Sequence, residues 1–144
     1  MKIVLQRVNS ASVEVENKVI GSINNGCIAF LGIAESDTKE TVERAVEKIY
    51  KLRIYADNAG KTNLSAKEIQ AEILIISQFA LLAECHSNRP SFSKAANKEL
   101  AYELYNYFIE KCNERFKHVS TGKFGAHMHV FSLGDGPMTL ILEV

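Results

Sequence analysis

The sequence predicts an α+β fold: a largely antiparallel, curved, barrel-like sheet carrying two long helices. Three observations lead there. Apolar and polar residues alternate through KIVLQRV, SVEVE and KVIGSI at the start of the chain, the period-two pattern of half-buried strands. Two longer stretches repeat apolar residues at helical spacing instead, one ending near Lys51 and one starting near Asn97. Most strand-to-strand connections are short enough for hairpins, which favours antiparallel pairing over a repeated βαβ pattern.

The elements follow in order. Turn signals at Asn9-Ser10 and Glu16-Asn17 divide the first three strand segments. CIAFLGI, after Asn24-Asn25-Gly26, is apolar throughout and suits a central strand buried on both faces. Asp37 is the expected N-cap of the first helix, with Glu40 as its capping-box partner, and Val42, Ala45, Val46 and Ile49 form its inner face. RIYAD returns to strand and ends at the turn Asp57-Asn58-Ala59-Gly60. EILIISQF is a further apolar strand, and ECHSNRPSFSK is a loop in which Pro90 keeps Arg89 extended. Ala101, Leu104, Tyr105, Phe108 and Cys112 mark the inner face of the second helix. HVSTGKFGA is a loop or short strand, and GDGP joins the two terminal strands HMHVFSL and MTLILEV. The whole chain of 144 residues is expected to form a single domain.

Composition narrows the function. Seventeen basic and seventeen acidic residues give a net charge of zero, so there is no strongly basic footprint of a protein that grips long nucleic acid. A few local contacts to a nucleic-acid end remain compatible with that balance. Lys94, Lys98, Lys111, Arg115, Lys117 and Lys123 gather in the second half, where a solvated helix face is the simpler reading. No apolar run approaches the roughly 18 residues a membrane helix needs, so no membrane partner is expected. MKIVLQRV is too short and too soon charged for a signal peptide, which points to the cytoplasm. Cys27, Cys85 and Cys112 are odd in number, with no CxxC pair, and Cys27 and Cys112 read as small buried hydrophobes.

Four stretches are candidates for chemistry. Ser77 and Gln78 stand where a buried strand leaves the core, without the GxSxG of a nucleophile elbow. His127 and His129 share a strand face, yet no spacing supplies further zinc ligands, and no metal is expected. Cys85-His86 are adjacent, a poor arrangement for a nucleophile and its base. Gly136-Pro137 is either a simple turn or a rigid wall beside a ligand, with Asp135 placed to steady it.

Taken together, LQRV, SQFAL, NRPSFSKAA and GDGPMT occur in an order and spacing that resemble the D-aminoacyl-tRNA deacylase family, once named D-tyrosyl-tRNA deacylases. GKTNLS, AYELYNYFIEKC and STGKFGAHM are similar to family sequence too, so the resemblance spans Met1 to Val144. It implies a cofactor-free homodimer that acts on the 3′ end of aminoacylated tRNA and hydrolyses the ester of a D-amino acid, and possible substrates extend to glycine. It implies that Gly136 and Pro137, held cis, enter the partner's site and collide with an L side chain, with Arg7 bracing them. It implies an oxyanion site at the backbone N–H groups of Phe79 and Ala80, shaped by Ser77 and Gln78. Phe124, Ala126 and Met128 match positions near the adenosine, and Pro90, Ser91 and Phe92 match the loop beside the site.

The chain departs from the family pattern at particular places. The family usually carries Thr where this chain has Ala80, so a threonine nucleophile is unavailable here. The resemblance then implies that the ribose 2′-hydroxyl assists the attack. Asn is more usual at Gly134, Val at Met138, and Asp and Gln at His127 and His129. An inactive or specificity-altered homologue that binds tRNA ends is the alternative.

Overall fold

The computed structural model describes residues 1–144. Strand β1 (Lys2–Val15) leads through a turn at Glu16 and Asn17, both with positive φ, into β2 (Lys18–Ile23) and then β3 (Gly26–Gly32). Helix α1 (Lys39–Lys51) follows, then the hairpin β4 (Arg53–Ala56) and β5 (Thr62–Ser65), the short helix α2 (Ala66–Ile69) and strand β6 (Glu72–Ser77). A 3₁₀ turn over Phe79–Leu82 and the long loop after it lead to α3 (Lys98–Asn113), β7 (His118–Thr121) and β8 (His129–Glu143). The α+β class, the curved, nearly closed sheet and the two long helices agree with the sequence reading. The main sheet runs β2-β1-β3-β6-β7, with β8 on the other edge of β1. It is less uniformly antiparallel than the hairpin spacing suggests. β3 pairs with β6 in parallel and β6 with β7 in parallel, because α1 and α3 act as crossovers.

Two expected strand breaks are absent. β1 runs unbroken through Asn9-Ser10, and β8 runs through GDGP rather than turning there. The breaker residues are absorbed as bulges. Between Gln6 and Val8 on β1, the partner on β8 moves from Thr139 to Gly134, so two steps face five. Between Val8 and Ser10 the partner moves only from Gly134 to Leu133. That second shift reverses the facing of β1. Ile3 and Leu5 lie in the core beneath the helices, whereas Val8, Ala11 and Val13 lie in a smaller core with Ile28, Leu74 and Ile76.

The first helix is capped by Thr38 and not by Asp37, with Thr41 completing the capping box. Asp37 is occupied elsewhere. Its buried carboxylate takes the Met1 ammonium at 2.6 Å and the Ala34 N–H at 2.7 Å. α3 starts where the sequence reading placed it, near Asn97, and Asn97 caps it by accepting from the Leu100 N–H at 2.9 Å. Cys27 and Cys112 are fully buried; burial pushes the Cys27 thiol up to about 12, opposed by a hydrogen bond with Tyr55, and raises Cys112 well above the usual thiol range. Neither is an available nucleophile.

Candidate active site

β6 is apolar because it is enclosed on both sides, with Ile73, Leu74, Ile75 and Ile76 all buried. Its exit from the core therefore has little freedom. The Gln78 N–H donates to the Leu31 carbonyl at 2.8 Å, which ties the first residue after β6 to the end of β3. The chain then tightens into the 3₁₀ turn, and the Gln78 side-chain oxygen accepts from the Ala80 N–H at 3.3 Å. Strand pattern alone extends this element to Phe79; the turn instead aims Phe79 outward, 58% exposed, against Phe92 at 4.8 Å between ring centres.

A cavity of about 340 Å³ opens beside this turn. Ser77, Phe79 and Phe124 line it, together with Ala95, Lys98 and Gly125. Phe124 is held from behind by Tyr102 and Tyr105, at 5.3 and 5.5 Å between ring centres. Tyr105 is fixed in turn by its hydroxyl, which donates to the Ile75 carbonyl at 3.0 Å. The lining contains no Asp, Glu, His or Cys, and Lys98 is its single charged member.

Other expected site residues lie elsewhere. Met128 packs under Gly122 and Ile76; a Cβ on Gly122 would stand 2.5 Å from its sulfur, so glycine allows that approach. Ala126 borders a separate cavity with Lys123, His127 and His129. Pro90 and Ser91 sit on an exposed loop, where Ser91 and Glu84 exchange backbone hydrogen bonds at 2.8 and 3.0 Å. The Gly136–Pro137 peptide bond is cis. This segment is exposed on β8, and neither residue lines the pocket of its own chain. Arg7 stands against it, largely buried, with Nε 3.0 Å from the Asp135 carboxylate and 3.1 Å from the Asp135 carbonyl. Its Nη1 donates to the Ile54 carbonyl at 2.5 Å, so the β4–β5 hairpin holds the other end of the guanidinium. Gly136 has φ +121°, and a Cβ there would meet Arg7 Nη2 at 2.9 Å. At Gly134, by contrast, a Cβ would meet nothing within 4 Å.

Sequence reasoning missed Lys98, Ala95 and Gly125. One signal was present for Lys98. It is the first residue of α3, the end of a helix where a cation is electrostatically disfavoured, and such a placement asks for a reason. Ala95 and Gly125 carry no such mark. No three His, Cys, Asp or Glu side chains gather as a metal-holding group. His127 and His129 meet edge to face at 5.1 Å, and no helix is long and apolar enough to cross a membrane.

The turn at the end of β6 borders an apolar pocket whose lining holds no carboxylate, imidazole or thiol, a site of the class that binds its substrate without a side-chain nucleophile-and-base pair. Comparison with known proteins agrees with that class. Residues 4–143 match the model of the D-Tyr-tRNA(Tyr) deacylase family. The chain is 46% identical over 144 residues to a D-aminoacyl-tRNA deacylase of Thermosipho africanus, covering 99% of this chain and 97% of the relative. It is 48% identical over 145 residues to that of Thermosipho melanesiensis, with the same coverage. A solved structure described as a c-Myc DNA unwinding element binding protein superposes with a TM-score of 0.95 at 41% identity, covering 100% of this chain and 99% of that one. A probable eukaryotic D-amino acid tRNA deacylase shares the fold, with a TM-score of 0.89 at 16% identity over 99% and 98% of the chains. The chain belongs to the D-Tyr-tRNA(Tyr) deacylase family, whose members are hydrolases of an ester bond.

Proposed function

We propose that this protein hydrolyses the ester between a D-amino acid and the terminal adenosine of tRNA, as a homodimer in which each subunit completes the other's site. The observation that carries the reading is a separation within one chain. Asp135, Gly136 and Pro137 on exposed strand β8 form one constellation with Arg7 of β1 behind them, while Ser77, Phe79 and Phe124 line the pocket. Phe131, Leu133 and Ile141 on the same strand are 52%, 60% and 69% exposed, an apolar surface suited to a second copy. In that assembly Gly136 and Pro137 stand beside the substrate's α-carbon. A D side chain points away from them and an L side chain meets them, so selectivity comes from exclusion. Glycine, with no side chain to exclude, passes the same filter.

The chemical step follows from what the pocket lacks. With no carboxylate, imidazole or thiolate in the lining, the ribose 2′-hydroxyl is the assigned relay: it passes the proton of the attacking water to the departing 3′-oxygen as the ester bond breaks. The protein's share is to offer the Phe79 and Ala80 N–H groups to the oxyanion. Gln78 holds the Ala80 N–H at a long 3.3 Å, a contact weak enough for a developing negative charge to replace. Ala80 keeps the donor that the reaction needs, whatever its side chain. Phe79 and Phe92 present an exposed aromatic surface for the adenine. Such a protein works on the cytoplasmic tRNA pool.

Mixing two defective chains tests the cross-subunit site. One carries Gly136→Val, the other Phe124→Asp. Each homodimer is expected to lose D-ester hydrolysis. The mixture recovers activity if one intact pocket receives an intact Gly-Pro segment from its partner. No recovery in a mixture proven to contain heterodimers would refute the arrangement.

A further inference from the structure

At the far end of the molecule from the ester pocket, a second cavity of about 370 Å³ is lined by Tyr50, Lys67, Gln70, Arg115, Phe116 and Lys117. Three of the six are cations and none is an acid, in a chain whose net charge is zero. The carboxylate next to it is already engaged: Glu47 takes Arg115 at 2.9 Å and also pairs with Lys51. Lys67 and Lys117 are exposed and take part in no ion pair. The wall behind them is rigid. Tyr50 and Phe116 meet edge to face at 5.3 Å, the Arg115 guanidinium lies 5.9 Å from the Tyr50 ring, and the Lys117 N–H donates to the Ala71 carbonyl at 3.3 Å.

We infer that this cavity holds backbone phosphates of the tRNA acceptor arm. The inference rests on tRNA being the substrate, as proposed above. Two elements give nearly the same distance to the ester pocket. β6 starts beside the cavity and ends at Ser77, six residues at about 3.3 Å each, or roughly 20 Å. Along α3, Ala101 lines the pocket and the helix ends at Asn113, twelve residues on at about 1.5 Å each, or roughly 18 Å, just before Arg115 of the cavity. Phosphates recur about every 3.4 Å along a stacked strand, so the cavity meets the RNA about six nucleotides from the terminal adenosine. That point lies in the paired stem, whose regular backbone suits Lys and Arg contacts that read charge and not sequence. Lys67, which has Glu47 and Glu68 nearby but pairs with neither, and Lys117 supply the point charges, and Arg115 offers the half of its fork that Glu47 leaves open.

The test uses the full-length chain with Lys67→Gln and Lys117→Gln together. Binding of uncharged tRNA is measured against salt, with Lys39→Gln/Lys61→Gln as a charge-matched control. Hydrolysis of D-aminoacyl-adenosine, too short to reach the cavity, serves as the reference for an intact pocket. The expected result is roughly ten-fold weaker tRNA binding, with a salt slope shallower by about two and the short substrate cleaved as before. An unchanged Kd and slope would overturn the inference, as would an equal loss in the control pair. Inorganic phosphate shifting the Lys67 and Lys117 signals while tRNA does not would overturn it too, making this a small-anion site. A wild-type protein that binds tRNA through these lysines but releases no amino acid would leave the inference standing and sink the deacylase reading instead.

Discussion

β6 and β8 each carry a part of the candidate site, and they could hardly be treated more differently by the fold. β6 is six residues long with its four central side chains buried, and it delivers Ser77 and Gln78 from a fully enclosed position. β8 is fifteen residues long and not one of them is buried. Over its last third an inward set, Met138, Leu140 and Leu142, packs beside the main core while Thr139 and Ile141 face out. The first strand needs nothing beyond its own chain. The second is half a structure: each end packs one set of side chains inward, Val130 on the smaller core and Leu140 on the larger, and leaves Phe131, Leu133 and Ile141 exposed. In the proposed homodimer this difference has a use: the pocket is built within one subunit, and the exposed Gly-Pro segment is offered to another.

The comparison can be broken most severely at the exposed face. Phe131→Glu with Ile141→Glu is expected to leave the fold intact by circular dichroism, because both residues are exposed. It should yield a monomer by sedimentation and lower D-ester hydrolysis by about 100-fold or more. Next comes Gly136→Ala. The added Cβ meets Arg7 at 2.9 Å in a backbone conformation L residues rarely adopt, at a cost of about 1–3 kcal/mol by denaturant titration. Its D-over-L ratio should fall roughly 10- to 100-fold, measured as kcat/KM on paired esters. Ala80→Thr acts on the enclosed side, where the reading assigns the proton to RNA. The expected change in rate is below about three-fold, and a gain of 100-fold or more would mark the lost hydroxyl as a real general acid or base. The smallest effect concerns the core itself. Iodoacetamide at neutral pH should label one cysteine per chain, the exposed Cys85, because burial keeps Cys27 and Cys112 as neutral, inaccessible thiols.

The same two strands show what was legible in the sequence. β6 was legible because burial on both faces writes an apolar run, and α1 and α3 because one buried face writes a helical period. The class and the helix spans followed. The exit of β6 was harder: nothing in SQFALL distinguishes one more strand residue from a 3₁₀ turn. β1 and β8 were misjudged at the breakers. Asn9-Ser10 and Gly134-Asp135-Gly136-Pro137 do break the ladder, but whether a breaker turns the chain or bulges it depends on the strand opposite, which local sequence does not contain. Asp37 has the residue type of an N-cap, and Thr38 takes that place because the Met1 ammonium, 36 positions away, claims its carboxylate. The resemblance of LQRV and GDGPMT to family motifs singled out Arg7 and Gly136, but not the Ile54 carbonyl that fixes the far end of the guanidinium, since a backbone oxygen leaves no trace in residue type.

The measurement that tests the central claim most directly is release of tyrosine from D-tyrosyl- and L-tyrosyl-tRNA by the purified protein, side by side. Loss of the D ester with the L ester spared is the predicted result; loss of both at similar rates, or of neither, would contradict a site that selects by excluding the L side chain.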